Sequence, residues 1–149
     1  VSVAADVITA TLAVVNGLSL SPTPTVAVRK RLMLLDGETP PLVVVSVGDG
    51  EQVEQLCTRA GARTFLVSYP VSIGLVFKSL GKTAGNDTLR AWRESVRAAL
   101  LDWMSGLRSS GLPTVADVTA AGKSVFDPAG VMSQGLDVAE MTFTVTAVE

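Results

Sequence analysis

Two glycine–lysine–hydroxyl triplets, Gly81-Lys82-Thr83 and Gly122-Lys123-Ser124, match the end of a phosphate-binding loop. Such a loop wraps phosphate in successive backbone amides and needs a further glycine five positions earlier. Val76 and Asp117 stand there instead, so both triplets read as chance sequences in loops. Gly48-Asp49-Gly50-Glu51 with Glu54 brings three carboxylates close together, a set that could hold calcium. Its spacing departs from the EF-hand loop, and a solvated acidic turn accounts for it. Asp36 and Glu38 flank a turn glycine for ordinary turn reasons. Serines are plentiful, but the chain has no histidine to activate one. A Ser–Lys dyad needs a buried lysine, whereas Lys30, Lys78, Lys82 and Lys123 fall in loops or beside polar strand positions. Cys57, the single cysteine, excludes an internal disulfide and reads as a small buried hydrophobe. No catalytic residue, cofactor or metal ligand is expected; a carboxylate-only enzyme is the one catalytic class that composition leaves standing.

Basic residues form the remaining constellation. Arg90, Arg93, Arg97 and Arg108 run along one line of a predicted helix, and Arg29-Lys30-Arg31 forms a second cluster. One interpretation has the helical arginines bordering the core, burying their stems and pairing with Glu94 and Asp102. A sharper one is a subunit contact, because arginine is favoured at interfaces and makes forked bonds to carboxylates. On that interpretation the candidate contact residues are Arg29, Lys30, Arg31, Arg90, Arg93 and Arg97. Nucleic-acid binding ranks third: no aromatic residues are interleaved with these charges, and the net charge is −2.

Composition points the same way. Of 149 residues, 48% are apolar and only 17% charged, with a mean hydropathy of +0.43. A chain so short of polar surface is expected to place some apolar area in contacts between chains. One domain spanning residues 1–149 is expected on size. No stretch reaches the roughly 20 apolar residues of a membrane helix. Val1–Leu20 lacks the basic start and cleavage site of a secretory signal and reads as a folded helix.

The elements that must position these residues follow from periodicity. Phe65, Val67, Tyr69, Val71, Ile73, Leu75 and Phe77 stand on every second residue, which describes one strand with a single dry face. It would span on the order of 40 Å. Pro70 interrupts its ladder, so the strand lies at an edge there or bulges. A first helix is predicted from Ser2 as cap to Asn16, with Gly17 as its left-handed stop. Ser21-Pro22-Thr23-Pro24 forces an extended link into a strand from Thr25 to about Leu35. Leu42–Val47 reads as a buried strand, and the polar 48–61 link as holding a helical turn near Val53, Leu56 and Cys57. Leu89, Trp92, Val96, Leu100, Trp103 and Leu107 make the apolar stripe of a helix from Thr88 to about Met104, capped by Asn86 or Asp87. Residues 107–136 suggest an irregular excursion with a short strand near 114–118. The chain closes on a strand from about Val138 to Val148. The expected class is α+β: a single, mostly antiparallel sheet of about four or five strands, arranged as a meander, with two main helices packed on one face.

In order and character this pattern resembles the tail terminator (minor tail, or tail-completion) proteins of tailed bacteriophages. The resemblance rests on the opening amphipathic helix, on Val43-Val44-Val45-Ser46 leading to an acidic loop, and on Arg63–Val76 with its Tyr-Pro-Val centre. It continues through Asn86-Asp87-Thr88-Leu89-Arg90-Ala91-Trp92-Arg93, Phe126-Asp127-Pro128 and the closing Phe143-Thr144-Val145. The segment 109–136 matches least. The resemblance implies a non-enzymatic virion protein in the neck region of the tail, assembled in the host cytoplasm. It implies a homohexameric ring that stops tube polymerisation, binds the tail tube protein on one face and receives a head-completion or neck protein on the other. DNA would pass through the lumen unread, and no membrane is involved. That family has no catalytic signature, so no site residue is carried over. The alternatives are another head–tail joining or tail-tube component, or a non-viral α+β module that binds a small molecule or peptide.

Overall fold

The long alternating segment is the spine of the molecule. In the computed structural model, which describes residues 3–29, 40–48, 50–59, 62–78, 83–126 and 136–149, it forms a strand of 17 residues, Ala62–Lys78. In chain order the elements are α1 (Val3–Asn16), β1 (Thr25–Val28), β2 (Leu42–Val47), β3 (Gln52–Arg59), β4 (Ala62–Lys78), α2 (Thr83–Leu101), β5 (Val115–Phe126) and β6 (Leu136–Val148). They build one six-stranded sheet ordered β1-β2-β4-β6-β5, with β3 also pairing β4. All pairs are antiparallel except β1 with β2, which run parallel. The class is α+β, with both helices packed on one face.

Alternation sets that face. Val67, Tyr69, Val71, Ile73, Leu75 and Phe77 of β4 are buried, as are Ala139, Met141, Phe143, Val145 and Ala147 of β6. They meet Val7, Ala10, Val14 and Val15 of α1 and Leu89, Trp92, Val96 and Leu100 of α2 in one core. Full burial of such a side chain stabilises by roughly 1.5–3 kcal/mol. Trp92 is fixed twice: its ring lies 4.2 Å from that of Phe77 at 59°, and its Nε1 donates to the Ser21 carbonyl at 3.1 Å. Leu42–Val45 is buried throughout because Val43 and Val45 face the helices while Leu42 and Val44 join Val76 and Val138 in a second cluster on the other face.

Pro70 does not bulge; the strand lies at a local edge there, as one of the two expectations had it. The N-terminal half of β4 pairs with β3 from Ala62 to Ser68, and the other half with β2 from Val71 to Val76. On this side the ladder is broken opposite Tyr69 and Pro70, while β6 runs past on the other side with Thr144 opposite Pro70. Gly48 N donates to Pro70 O at 2.8 Å, so the Pro70 main chain faces the break and its missing N–H falls where no ladder bond is needed. Gly48 fits this position because a Cβ there would lie 2.7 Å from Pro70 Cγ.

Several expectations are corrected. The sheet is not a simple meander, since the chain returns after β1 to lay β2 parallel to it. The expected run to Leu35 leaves the described residues after Arg29, whose N–H continues the ladder to Val45 O at 3.0 Å. Residues 52–59 form β3 rather than a helical turn, because main-chain pairing with β4 decides the matter where side chains are mostly polar. α2 begins at Thr83, so Asn86 and Asp87 lie inside it; their poor helix propensity is a weak prior that context overrides. β5 runs to Phe126, much further than expected, and Gly122-Lys123-Ser124 lies in a strand and not a loop. Its register shifts between Val115 and Asp117 put the buried Val115 and Val118 three apart, which erased the period-two signal. Gly17 closes α1 with an ordinary bond to Ala13 O at 3.0 Å; Gly111, at φ 116°, takes the left-handed conformation instead. Ser2, Asp36, Glu38, Asp49 and Gly81-Lys82 lie outside the described residues. No helix among the described residues is long and apolar enough to cross a membrane.

Candidate assembly surfaces

Three surfaces stand out among the described residues. The first is the part of the sheet face opposite α1 and α2 that lies beside the cluster of Leu42, Val44, Val76 and Val138. Because Thr142, Thr144 and Thr146 alternate with the buried residues of β6, their hydroxyls project opposite the helices. The register sets them beside Ser72, Pro70 and Ser68 of β4. Ser68 Oγ and Thr146 Oγ1 lie 2.9 Å apart, and Ser72 Oγ and Thr142 Oγ1 3.5 Å apart. Thr119 and Asp117 of β5 continue the rows across Thr144 and Thr146, and Glu140 sits opposite Gly74. The result is a lattice of hydroxyls carrying carboxylates. A shallow groove of ≈ 290 Å³ opens in it at the ladder break, lined by Gly50, Glu51, Gln52, Ser68, Pro70 and Thr144.

The second surface is the outer side of α2. Leu89, Trp92, Val96 and Leu100 turn inward, which leaves Arg90, Arg97 and Leu101 on the outer side. After Leu101 the chain leaves the helix in turns. Asp102 N bonds Ala98 O at 3.0 Å, but Arg108 N bonds Trp103 O at 2.9 Å and a Cβ on Gly106 would lie 2.9 Å from Ala99 O. Met104 and Arg108 therefore stand on these turns and not on the helical stripe. Arg90 and Arg108 are exposed, Arg97 is half-buried, and Leu101 and Met104 are 40% and 60% exposed. Arg93 is half-buried with its Nε enclosed, which fits the core-bordering interpretation better than it does for Arg90.

The third surface is the β3–β4 arm. β6 pairs with β4 only from Leu66 onward, so residues 62–65 project with β3 as their strand partner, apart from main-chain bonds between Phe65 and Glu149 at 2.9 and 3.2 Å. On the helix-side face of the arm stand Val53, opposite Val67, and Phe65, opposite Glu149. Val53 is 55% exposed and Phe65 half-buried. Tyr69, next along, is buried; its hydroxyl titrates above its ordinary value of 10.0 because of burial, the charges of Glu149 and Glu51, and a hydrogen bond to Glu51. Both carboxylates therefore lie near the Tyr69 hydroxyl.

Arg29 is not brought beside the α2 arginines. α2 packs over β4, β5 and β6, whereas half-buried Arg29 extends β1 at the far edge. Lys30 and Arg31 lie outside the described residues. Sequence reasoning missed the acidic–apolar arm, because residues 52–59 carry no periodicity that signals a strand. Among the described residues no three of His, Cys, Asp or Glu are grouped to hold a metal ion. No protein-family model matches the chain, and no curated protein matches it.

Proposed function

We propose that this chain is a non-enzymatic structural subunit of a phage tail, a terminator that forms a six-membered ring at the head-proximal end of the tube. The observation that carries this reading is the division of labour across one sheet. Helices cover one face and present arginines outward, while the other face divides between the apolar cluster of Leu42, Val44, Val76 and Val138 and rows of Ser and Thr hydroxyls with Asp117 and Glu140. A polyanion sliding along hydroxyls and carboxylates meets no strong attraction, as a passage for DNA requires. β1 and β3 stand at one side of the sheet and β5 at the other, so each copy presents different edges to its two neighbours. Unlike edges on opposite sides suit the head-to-tail interface of a ring, which closes after a fixed rotation.

Light scattering combined with negative-stain imaging tests the reading, on the protein alone and with tail tubes. Rings of six, alone or capping tube ends, are the expected result. A monomer at every concentration that never decorates tubes overturns it, and long tubes formed by the chain itself would assign a tube component instead.

A further inference from the structure

Two strand edges of this chain lie open at opposite sides of the sheet. No described strand pairs with the outer side of β3 or with the outer side of β5. Each edge has one regular stretch, Gln52–Gln55 before the register shift in β3 and Asp117–Ala121 between the two shifts in β5. Gln52, Val53, Glu54 and Gln55 are all exposed, as are Asp117, Thr119 and Ala120. Proteins commonly blunt an open edge with lysine, proline or a bulge, and neither stretch contains any of the three. Strand polarity decides what each edge accepts. β3 runs antiparallel to β4, β4 to β6 and β6 to β5, so β3 and β5 point in opposite directions. A second copy set beside the first in the same orientation meets β5 with β3 antiparallel, and the alternation of the sheet continues across the contact.

We propose that β3 of one copy pairs antiparallel with β5 of the next, with Val53 opposite Ala120. Side-chain alternation narrows the register to two choices. Val53 stands opposite Val67, while Val118 and Ala120 stand opposite Val145 and Phe143, all on the helix side of the sheet. Val53 must therefore oppose Val118 or Ala120 for the two faces to match. Opposite Val118, it would set Glu54 directly across from Asp117, and like charges so placed are destabilising. Opposite Ala120, it sets Glu54 across from Thr119, pairs residues 52–55 with 118–121 in full, and gives Val53, 55% exposed, an apolar neighbour. The occupant is a second copy, because both edges, opposite in direction, belong to one chain. The edges are different strands, so the contact is heterologous and propagates from copy to copy. This inference rests on the ring reading and specifies the contact by which the ring closes.

The test is disulfide capture of this register, read on non-reducing gels with circular dichroism as a check on folding. The single cysteine is removed by Cys57→Ser, and Val53→Cys is combined with Ala120→Cys. Directly opposed residues of antiparallel strands bring their Cβ atoms within disulfide reach. Oxidation is expected to give a ladder of covalent products reaching six copies. Val53→Cys with Thr119→Cys, whose thiols fall on opposite faces, should give about tenfold less. A second measurement needs no substitution. When the wild type assembles, alone or on tail tubes, main-chain amide exchange across 52–55 and 118–121 is expected to slow by about tenfold or more. Rings that show neither crosslinks nor protection overturn this pairing and leave the ring standing. Protection without crosslinks in the folded variant overturns the register. A crosslinked product that stops at two copies overturns the head-to-tail order. A wild type that never associates overturns the pairing and the ring together.

Discussion

The close approach of Gly48 to Pro70 offers a quantitative check on how the ladder break is built. A methyl group at position 48 would stand 2.7 Å from Pro70 Cγ and 3.4 Å from Pro70 Cβ. Carbon atoms rest near 3.5 Å or beyond, so Gly48→Ala creates about 0.8 Å of overlap. The proline ring cannot rotate away, and its carbonyl is held by Gly48 N at 2.8 Å while Thr144 sits opposite on β6. The overlap must therefore be relieved by shifting β2 against β4, at roughly 1–3 kcal/mol. For a chain of this size that lowers the melting temperature by roughly 2–12 °C. Pro70→Ala removes Cγ and leaves the contacts to Cβ at 3.4 Å and to the carbonyl oxygen at 3.6 Å, both ordinary. The double variant Gly48→Ala/Pro70→Ala should thus be about as stable as Pro70→Ala alone, with a coupling energy of about 1–3 kcal/mol. Urea unfolding of the four proteins at one concentration, followed by circular dichroism with equal m-values, measures the cycle. Strictly additive losses, or no loss in Gly48→Ala, would refute the reasoning.

Two further expectations concern the core. Trp92→Phe keeps a ring against Phe77 but removes the bond to Ser21 O; it should cost about 1–3 kcal/mol in urea unfolding, and an unchanged midpoint would contradict the tie. Tyr69 is the single tyrosine, so tyrosinate absorbance reports it alone. Its folded value is raised above 10.0, so the folded state holds the proton more tightly than the unfolded one. Stability from this source is intact below pH 10 and declines as pH rises through the folded value. Glu51→Gln should move the titration down, since it removes one of the charges that raise it; a titration at the ordinary value in the wild type would contradict the buried, carboxylate-flanked placement.

Much of the architecture was legible because burial imposes a period. β4 and β6 announce themselves by alternation, α2 by its stripe from Leu89 to Leu107, and α1 by Val7, Thr11 and Val14 on one face. The failures share one cause: where pairing is made by the main chain, side chains need not show it. β3 is polar along its exposed N-terminal part, and the first half of β5 breaks alternation at a register shift. Pro70 signalled an irregularity, but sequence could not say that the neighbour would break while β4 ran straight through. Of the candidate contact residues, Arg90 and Arg97 share an outward stripe with Leu101, because helical spacing is visible in sequence. The arm was hidden, since strand register alone puts Val53 and Phe65 on one face, opposite Val67 and Gln55.

The position of β6 governs how the chain can reach this form. β5 pairs with β6 and with no other described strand, and β6 in turn is stitched to β4 across separations of 70 and 78 residues at Ser72–Thr142 and Ser68–Thr146. That long loop must close before β6 gains β4, which makes folding slow relative to a helical chain of equal length, whereas β5 and β6 are near in sequence and can pair first. β6 is the keystone of the sheet: until it docks, the spine has one bare flank and β5 has no link to the other strands. A polypeptide released before that strand is made would expose the most aggregation-prone edge in the molecule.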